Sequence, residues 1–176
     1  MSFTMSQSSL PVFITGLNAL LAILDKAAEF AAAKKIEETV LLQTRLAPDQ
    51  FPLIRQIQIA TDSAKNGSAR VAGVDTPKHE DKETSIAELK MRIAETIAFI
   101  ESIDQNAFNA GADKQIVFPL GKLYKGEMKG DAYVTHFVLA NFYFHLTTAY
   151  AILRHSGVDI GKMNFLGDIP MTRTPV

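Results

Sequence analysis

Residues Asp131 to His155 read DAYVTHFVLANFYFHLTTAYAILRH. Wound at about 100° per residue, this stretch is apolar on nearly every side: Val134, Phe137, Val138, Leu139, Phe142, Phe144, Leu146, Ala149, Ile152 and Leu153 leave no broad polar face. Gly157 is its stop signal. A helix apolar all round is normally enclosed by other elements. The rest of the chain must therefore supply partners long enough to surround it.

Three earlier segments qualify. The first is predicted from Ser9 to Lys35, with Ser9 as cap and Pro11 in the first turn, where a missing N–H costs nothing. Its inner face collects Phe13, Leu17, Leu20, Leu24, Ala28 and Ala31. A shorter helix follows over Ile36 to Leu46 and ends before Ala47-Pro48, because a residue preceding proline is pushed out of helical geometry. The next long helix starts near Asp49 or Phe51 and stops at Gly73, with Leu53, Ile57, Ala60, Ala64 and Val71 inward. Its small residues Ala60, Ala64 and Gly67 invite a neighbouring helix to come close. Ser85 and Glu88 have the spacing of a capping box that opens the third long helix, running to about Ile103. On it Ile86, Leu89, Ile93, Ile97 and Ile100 face inward, and Glu88 with Arg92 reads as an exposed i,i+4 pair worth a few tenths of a kcal/mol.

Two connections carry information. Residues 74–84 are polar and charged, read as a solvated linker, and place His79 in solvent. Stretched, these residues reach about 36–40 Å, enough to span a neighbouring helix and set the second and third long helices parallel. Gln105 to Gly130 reads as turns followed by a small hairpin or extended flap, Gln115–Leu120 against Leu123–Met128 around Gly121. After the last helix, 160–176 carries Gly161, Gly167, Pro170 and Pro175 and is expected to be extended. The expected architecture is an all-α, up-down four-helix bundle with a short extra helix and a flap before the last helix, one domain over 1–176.

Composition narrows the function. With 176 residues, the chain can remove roughly 70% of its unfolded surface from water without staples. Lys plus Arg make 18 and Asp plus Glu 19, a net charge of -1, and the pI of about 6.4 argues against nucleic acid as a partner. No cysteine is present, which excludes disulfides, thiolate metal sites and cysteine catalysis. Leu10 to Leu24 lacks a basic leader and is interrupted by Thr15 and Asn18, so it reads as a core helix of a cytoplasmic protein rather than a signal peptide or membrane span.

The last helix carries the unusual chemistry. Asn141, His145 and Thr148 fall within about 60° of one another on the wheel and form one polar stripe on an apolar rod. Either they satisfy one another and the backbone, the commoner fate of a lone buried histidine, or they line a ligand or metal pocket between helices. His136 and His155 lie about 13 and 15 Å from His145 along a straight helix and cannot share an ion with it. On the second long helix Gln56 lies on the flank of the inner face, with Gln58 turned roughly away. One histidine with amide oxygens is a poor set for a transition metal.

The run His136-Phe137-Val138-Leu139-Ala140-Asn141-Phe142-Tyr143-Phe144-His145, with Thr147-Thr148-Ala149-Tyr150 and Leu153-Arg154, is distinctive. Together with Leu46-Ala47-Pro48-Asp49, Gln56-Ile57-Gln58-Ile59-Ala60 and Phe165-Leu166-Gly167, it resembles a bacterial family named domain of unknown function nineteen-ninety-three, grouped with the DinB/YfiT-like four-helix bundles. The resemblance covers essentially the whole chain. It implies a divalent metal held by three histidines, one on the second helix and a His-x-x-x-His pair on the last, and relatives that are thiol-dependent transferases and isomerases. Here the pair position reads Asn141-x-x-x-His145, and Gln56 stands at the first histidine, with Gln58 the alternative if the register is two residues out.

Three functions are weighed. The first is a small-molecule-binding bundle, its pocket lined by Gln56, Asn141, His145 and Thr148, whose metal set of His145, Asn141 and Gln56 is degenerate; a weakly bound divalent metal is less expected than none. The second is an active metal-dependent transferase or hydrolase of DinB type with His145 as ligand or general base. The third is a non-enzymatic homo-oligomer, a homodimer in the simplest case, with Phe142, Tyr143 and Tyr150 facing a partner and the tail from Gly161 wrapping it. No membrane partner is expected.

Overall fold

A computed structural model describes residues 3–172 and 174. The first helix, α1, spans Met5–Lys34. It begins four residues earlier than the sequence suggests, because Thr4 and Gln7 form a capping box. Ser9 is therefore interior, and its hydroxyl donates to the carbonyl of Met5 at 2.6 Å. Helix α2 is only Glu38–Leu42, shorter than the expected Ile36 to Leu46. Helix α3 spans Leu53–Ala72 and ends as expected at Gly73, whose φ of 75° is costly for any side chain. Helix α4 spans Ile86–Glu101 behind the Ser85/Glu88 capping box, and Glu38 of α2 accepts from its first amide at 2.8 Å. A short α5 (Gln105–Asn109) falls in a stretch expected to be turns.

The flap is a two-stranded antiparallel hairpin, β1 (Gln115–Leu120) against β2 (Tyr124–Lys129), in register Phe118↔Gly126, so the fold is mostly helical rather than strictly all-α. Ile116 and Phe118 turn inward and Val117 outward. A side chain at position 126 would strike the Phe118 ring, so glycine there lets the ring lie across the hairpin. The last helix is continuous but not uniform. Helix α6 (Gly130–Ala132) leads into a π-helical stretch, Tyr133–Val138, and then into α7 (Leu139–His155). After it, α8 (Lys162–Leu166) packs on α1 in a segment expected to be extended, with Phe165 edge-on to Tyr150.

Paired residues fix the directions. Phe13 meets Phe142 and Phe30 lies near Gly157, so α1 and α7 run the same way. Gln56 meets His145, Gly67 meets Val138 and Arg70 meets Tyr133, so α3 opposes the last helix. Asp25 pairs with Lys90 and the Ser6 amide donates to Asn109, so α4 opposes α1. Helices α3 and α4 are therefore parallel, and the order is up, down, down, up rather than up-down throughout. Residues 74–84 make the crossover that their length permits.

The core follows most of the faces the periodicity marks, but Ala28, Ile97, Phe137 and Leu139 are only half-buried and Phe144 is exposed, so the last helix is not enclosed on every side. Phe13, Leu17, Leu20 and Leu24 of α1, Leu53, Ile57, Ala60, Ala64 and Val71 of α3, Leu89 and Ile93 of α4, and Phe142, Ala149, Ile152 and Leu153 of α7 are each fully buried. Gly67 sits where a Cβ would lie 2.4 Å from Val138, so α3 and the π-helical stretch touch nearly backbone to side chain. Helix α1 is long and apolar enough to cross a membrane by length and composition, and half of its most apolar window is buried in the bundle.

Candidate functional site

The structure brings Gln56 and His145 together and separates the other two expected members. His145 Nδ1 lies 2.7 Å from Gln56 Oε1. The Gln56 Nε2 donates to the carbonyl of Phe51 at 2.8 Å. A carbonyl can only accept, so the NH2 end of the amide must face Phe51 and the oxygen must face the imidazole. Nδ1 therefore carries the hydrogen, and Nε2 holds the lone pair of the neutral ring. Burial pushes the His145 pKa down to about 4, and the nearby Arg55 guanidinium adds to the effect. The ring is neutral at pH 7.

Asn141 and Thr148 are occupied by their own helix. Asn141 Nδ2 donates to the carbonyl of Phe137 and Thr148 Oγ1 to that of Phe144, at 2.8 and 2.7 Å. Asn141 lines a different cleft, bounded by Ile59, Arg70, Tyr133 and Phe137. His145 is itself buried, and Phe144, which stands edge-on to its ring with centroids 5.0 Å apart, is more than half exposed.

Two sequence expectations fail nearby. Arg92 is not an exposed partner of Glu88 but a buried hub, 3% exposed. Its Nε donates to Thr61 Oγ1, its Nη1 to Asp81 and Glu83, and its Nη2 to Asp62 and the Gln58 carbonyl, at 2.7–3.3 Å. Glu88 instead accepts from the amides of Thr84 and Ser85. The linker that carries Asp81 and Glu83 is consequently strapped down, and His79 is half-buried, its side chain largely covered between Lys65 and Glu95 rather than solvated. Burial, then Lys65 and Arg92, lower the His79 pKa. Burial would raise the carboxyl pKa values of Asp81 and Glu83. Hydrogen bonds from Arg55 and Arg92 to Asp81, and chiefly from Arg92 to Glu83, overcome this and hold both below the ordinary value. The 74–84 composition carried no sign of this, because a charged run reads the same whether its partner is water or a buried guanidinium.

The residues do not fit a resident transition metal. Gln56's oxygen is engaged by His145 Nδ1–H, the only imidazole in the set offers one lone pair, and amides are weak donors to such ions. Among the described residues no group of three or more His, Cys, Asp or Glu side chains is placed to hold a metal ion.

The fold is thus an up-down-down-up four-helix bundle with its long crossover after the second long helix, and polar groups from that helix and the last face each other inside it. A family profile described as a domain of unknown function (DUF1993) matches residues 5–166, and the chain belongs to that family. It is similar to the crystal structure of a DinB family member from Shewanella denitrificans, with 42% identity and a TM-score of 0.87 over 96% of this chain and 95% of that one. No curated protein matches the sequence.

Proposed function

We propose that this protein binds a small polar molecule between α3 and α7 at His145, in a site whose metal-binding set has decayed. The observation that carries this reading is the fixed Gln56 amide, which orients the imidazole and leaves Nε2 as a neutral acceptor, with the exposed Phe144 ring edge-on to the imidazole. Such an acceptor suits the hydroxyl or N–H of a ligand with a flat apolar part. A thermal-shift screen of hydroxyl- and amide-bearing metabolites tests it: a hit raises the Tm of the wild type and not of His145→Ala. Stoichiometric zinc or nickel in protein purified without chelator overturns the decayed-site reading, and a hit that stabilises both proteins equally overturns the role of His145.

The ligand remains a small molecule in this reading, with no nucleic-acid or membrane partner and a cytoplasmic location, supported by the near-neutral charge and the packing of α1. A homodimer through the hairpin is supported by Val117, Leu120, Leu123 and Tyr124, large apolar side chains left exposed there. Light scattering at low micromolar concentration tests it, and a strict monomer removes it. The aromatics first weighed for that role are largely used within the chain: Phe142 is fully buried and Tyr150 packs on Phe165.

A further inference from the structure

Beyond His145, a cleft of about 230 Å³ lies between α3 and the π-helical stretch. Along α3 it is lined by Asp62, Ser63, Asn66 and Arg70, and across from them by Tyr133, Phe137 and Asn141. Arg70 has no carboxylate within ion-pair distance among the described residues. Its Nη1 donates to the Tyr133 hydroxyl at 3.1 Å, and the phenolic hydrogen has no acceptor among those residues. The side chains of Ser63 and Asn66 likewise make no hydrogen bond among them. One cation and three further donors thus line one cavity, and the one carboxylate among its lining residues, Asp62, has its Oδ1 engaged by Arg92 at 2.9 Å and Lys65 at 3.4 Å rather than by Arg70.

The walls are built to stay. Tyr133 is 1% exposed and stacks on Phe137 at an interplanar angle of 15°, and Phe118 of the hairpin packs against both rings. The π-helical stretch Tyr133–Val138 is itself an independent pointer. Such turns are rare, and they concentrate at functional sites, where they re-aim side chains. Gly67 lets Val138 press against α3 and form the floor. The apolar surface of Ile59, Phe137 and Val138 continues from the donor group.

We propose that this cleft binds a small carboxylic acid, with its carboxylate on Arg70, Tyr133 and Asn66 and its apolar body against Phe137 and Val138. The guanidinium fork matches a carboxylate in two parallel hydrogen bonds, and the cavity admits only a compact molecule. His145 takes no part in this cleft, so the two proposals fail separately.

Acetate, butyrate, benzoate and inorganic phosphate, each titrated into 15N-labelled full-length protein, test the proposal. The side-chain amides of Asn66 and Asn141 and the Arg70 Nε–H should shift saturably. Benzoate should bind about tenfold or more tighter than acetate, because it adds apolar contact. Arg70→Gln should weaken benzoate by about tenfold or more. Arg70→Lys should fall between, and it serves alone if Arg70→Gln fails to fold. Absence of any saturable carboxylate shift, phosphate binding tighter than benzoate, or a lysine variant that titrates like the wild type would each overturn the assignment.

Discussion

Arg92 on α4 and His145 on α7 are both polar side chains buried in the same bundle, but their surroundings differ in kind. The five N–H groups of Arg92 face five acceptors: Thr61, Asp62, Asp81, Glu83 and the Gln58 carbonyl. His145 has one partner, Gln56, and a second nitrogen with none among the described residues. A saturated charge can fix structure and has nothing left to offer a ligand. An oriented but unsaturated neutral base keeps its capacity to bind. The contrast separates a group that holds the crossover in place from one available for chemistry, although burial alone would put them in one class.

The largest expected effect tests the saturated side. Arg92→Met removes the one cation shared by Asp62, Asp81 and Glu83 and leaves their charges facing one another. Breaking a buried ion pair from one side costs about 3–5 kcal/mol, and because Asp62 and Asp81 are about a third exposed and keep Lys65 and Arg55, the loss should lie at the low end of that range. Urea unfolding followed by circular dichroism should show a loss of that size, with increased hydrogen exchange over 74–84. A loss below about 1 kcal/mol would mean that the cluster is solvated in practice, and the contrast would collapse.

The next effect belongs to His145. Its pKa of about 4 in the folded protein lies below the 6.5 of a free histidine. Between those values the unfolded chain takes up the proton first, so stability present above pH 6.5 is lost progressively as the pH falls to about 4. The loss approaches about 3 kcal/mol. His79, also lowered, contributes in the same direction. The depressed carboxyls of Asp81 and Glu83 lose their contribution at the acid end, below their ordinary values of 3.8 and 4.5. Loss between pH 6.5 and 4.5 is thus assigned to the histidines. NMR of the ring Cε1–H resonances should find His145 titrating near 4; a midpoint near 6.5 would place the ring in water and remove the basis for the His145 site.

The sequence made one of these two groups legible and hid the other. His145 stood out because it interrupts an otherwise apolar helix; Gln56, which the wheel put only on the flank of an inner face and the family resemblance set at the first histidine, does meet it. Asn141 and Thr148 share its wheel position but bond to carbonyls one turn back. A wheel gives direction only, and i−4 carbonyls compete for short polar side chains. The π-helical turn was invisible, since nothing in Tyr133–Val138 distinguishes it from ordinary helix. Arg92 was misread because Glu88 at i−4 offers a surface pair, whereas the true partners lie 9 to 34 residues away, on α3 and in a crossover whose path the local pattern does not encode. The four long helices and their inward faces were legible because apolar periodicity over many turns has few other meanings.

The smallest effect connects the two groups. Arg55 donates to Asp81 and to Gln58, and its positive charge contributes to the lowered pKa of His145. Asp81 is thus the point where the Arg92 cluster reaches the imidazole. It also adopts a left-handed backbone, φ 54°, which Asp and Asn tolerate better than other side chains. Asp81→Asn keeps that backbone and the side-chain shape while removing the charge, so strain cannot account for its effect. Because the carboxylate is about a third exposed, the stability loss should be about 1 kcal/mol or less. With its counter-charge gone, Arg55 should act more strongly on the imidazole, and the His145 titration should move to lower pH. If stability falls while that titration stays fixed, the cluster and the site are electrostatically independent. If the titration moves as expected, the crossover that closes the fold also helps to keep the candidate base neutral.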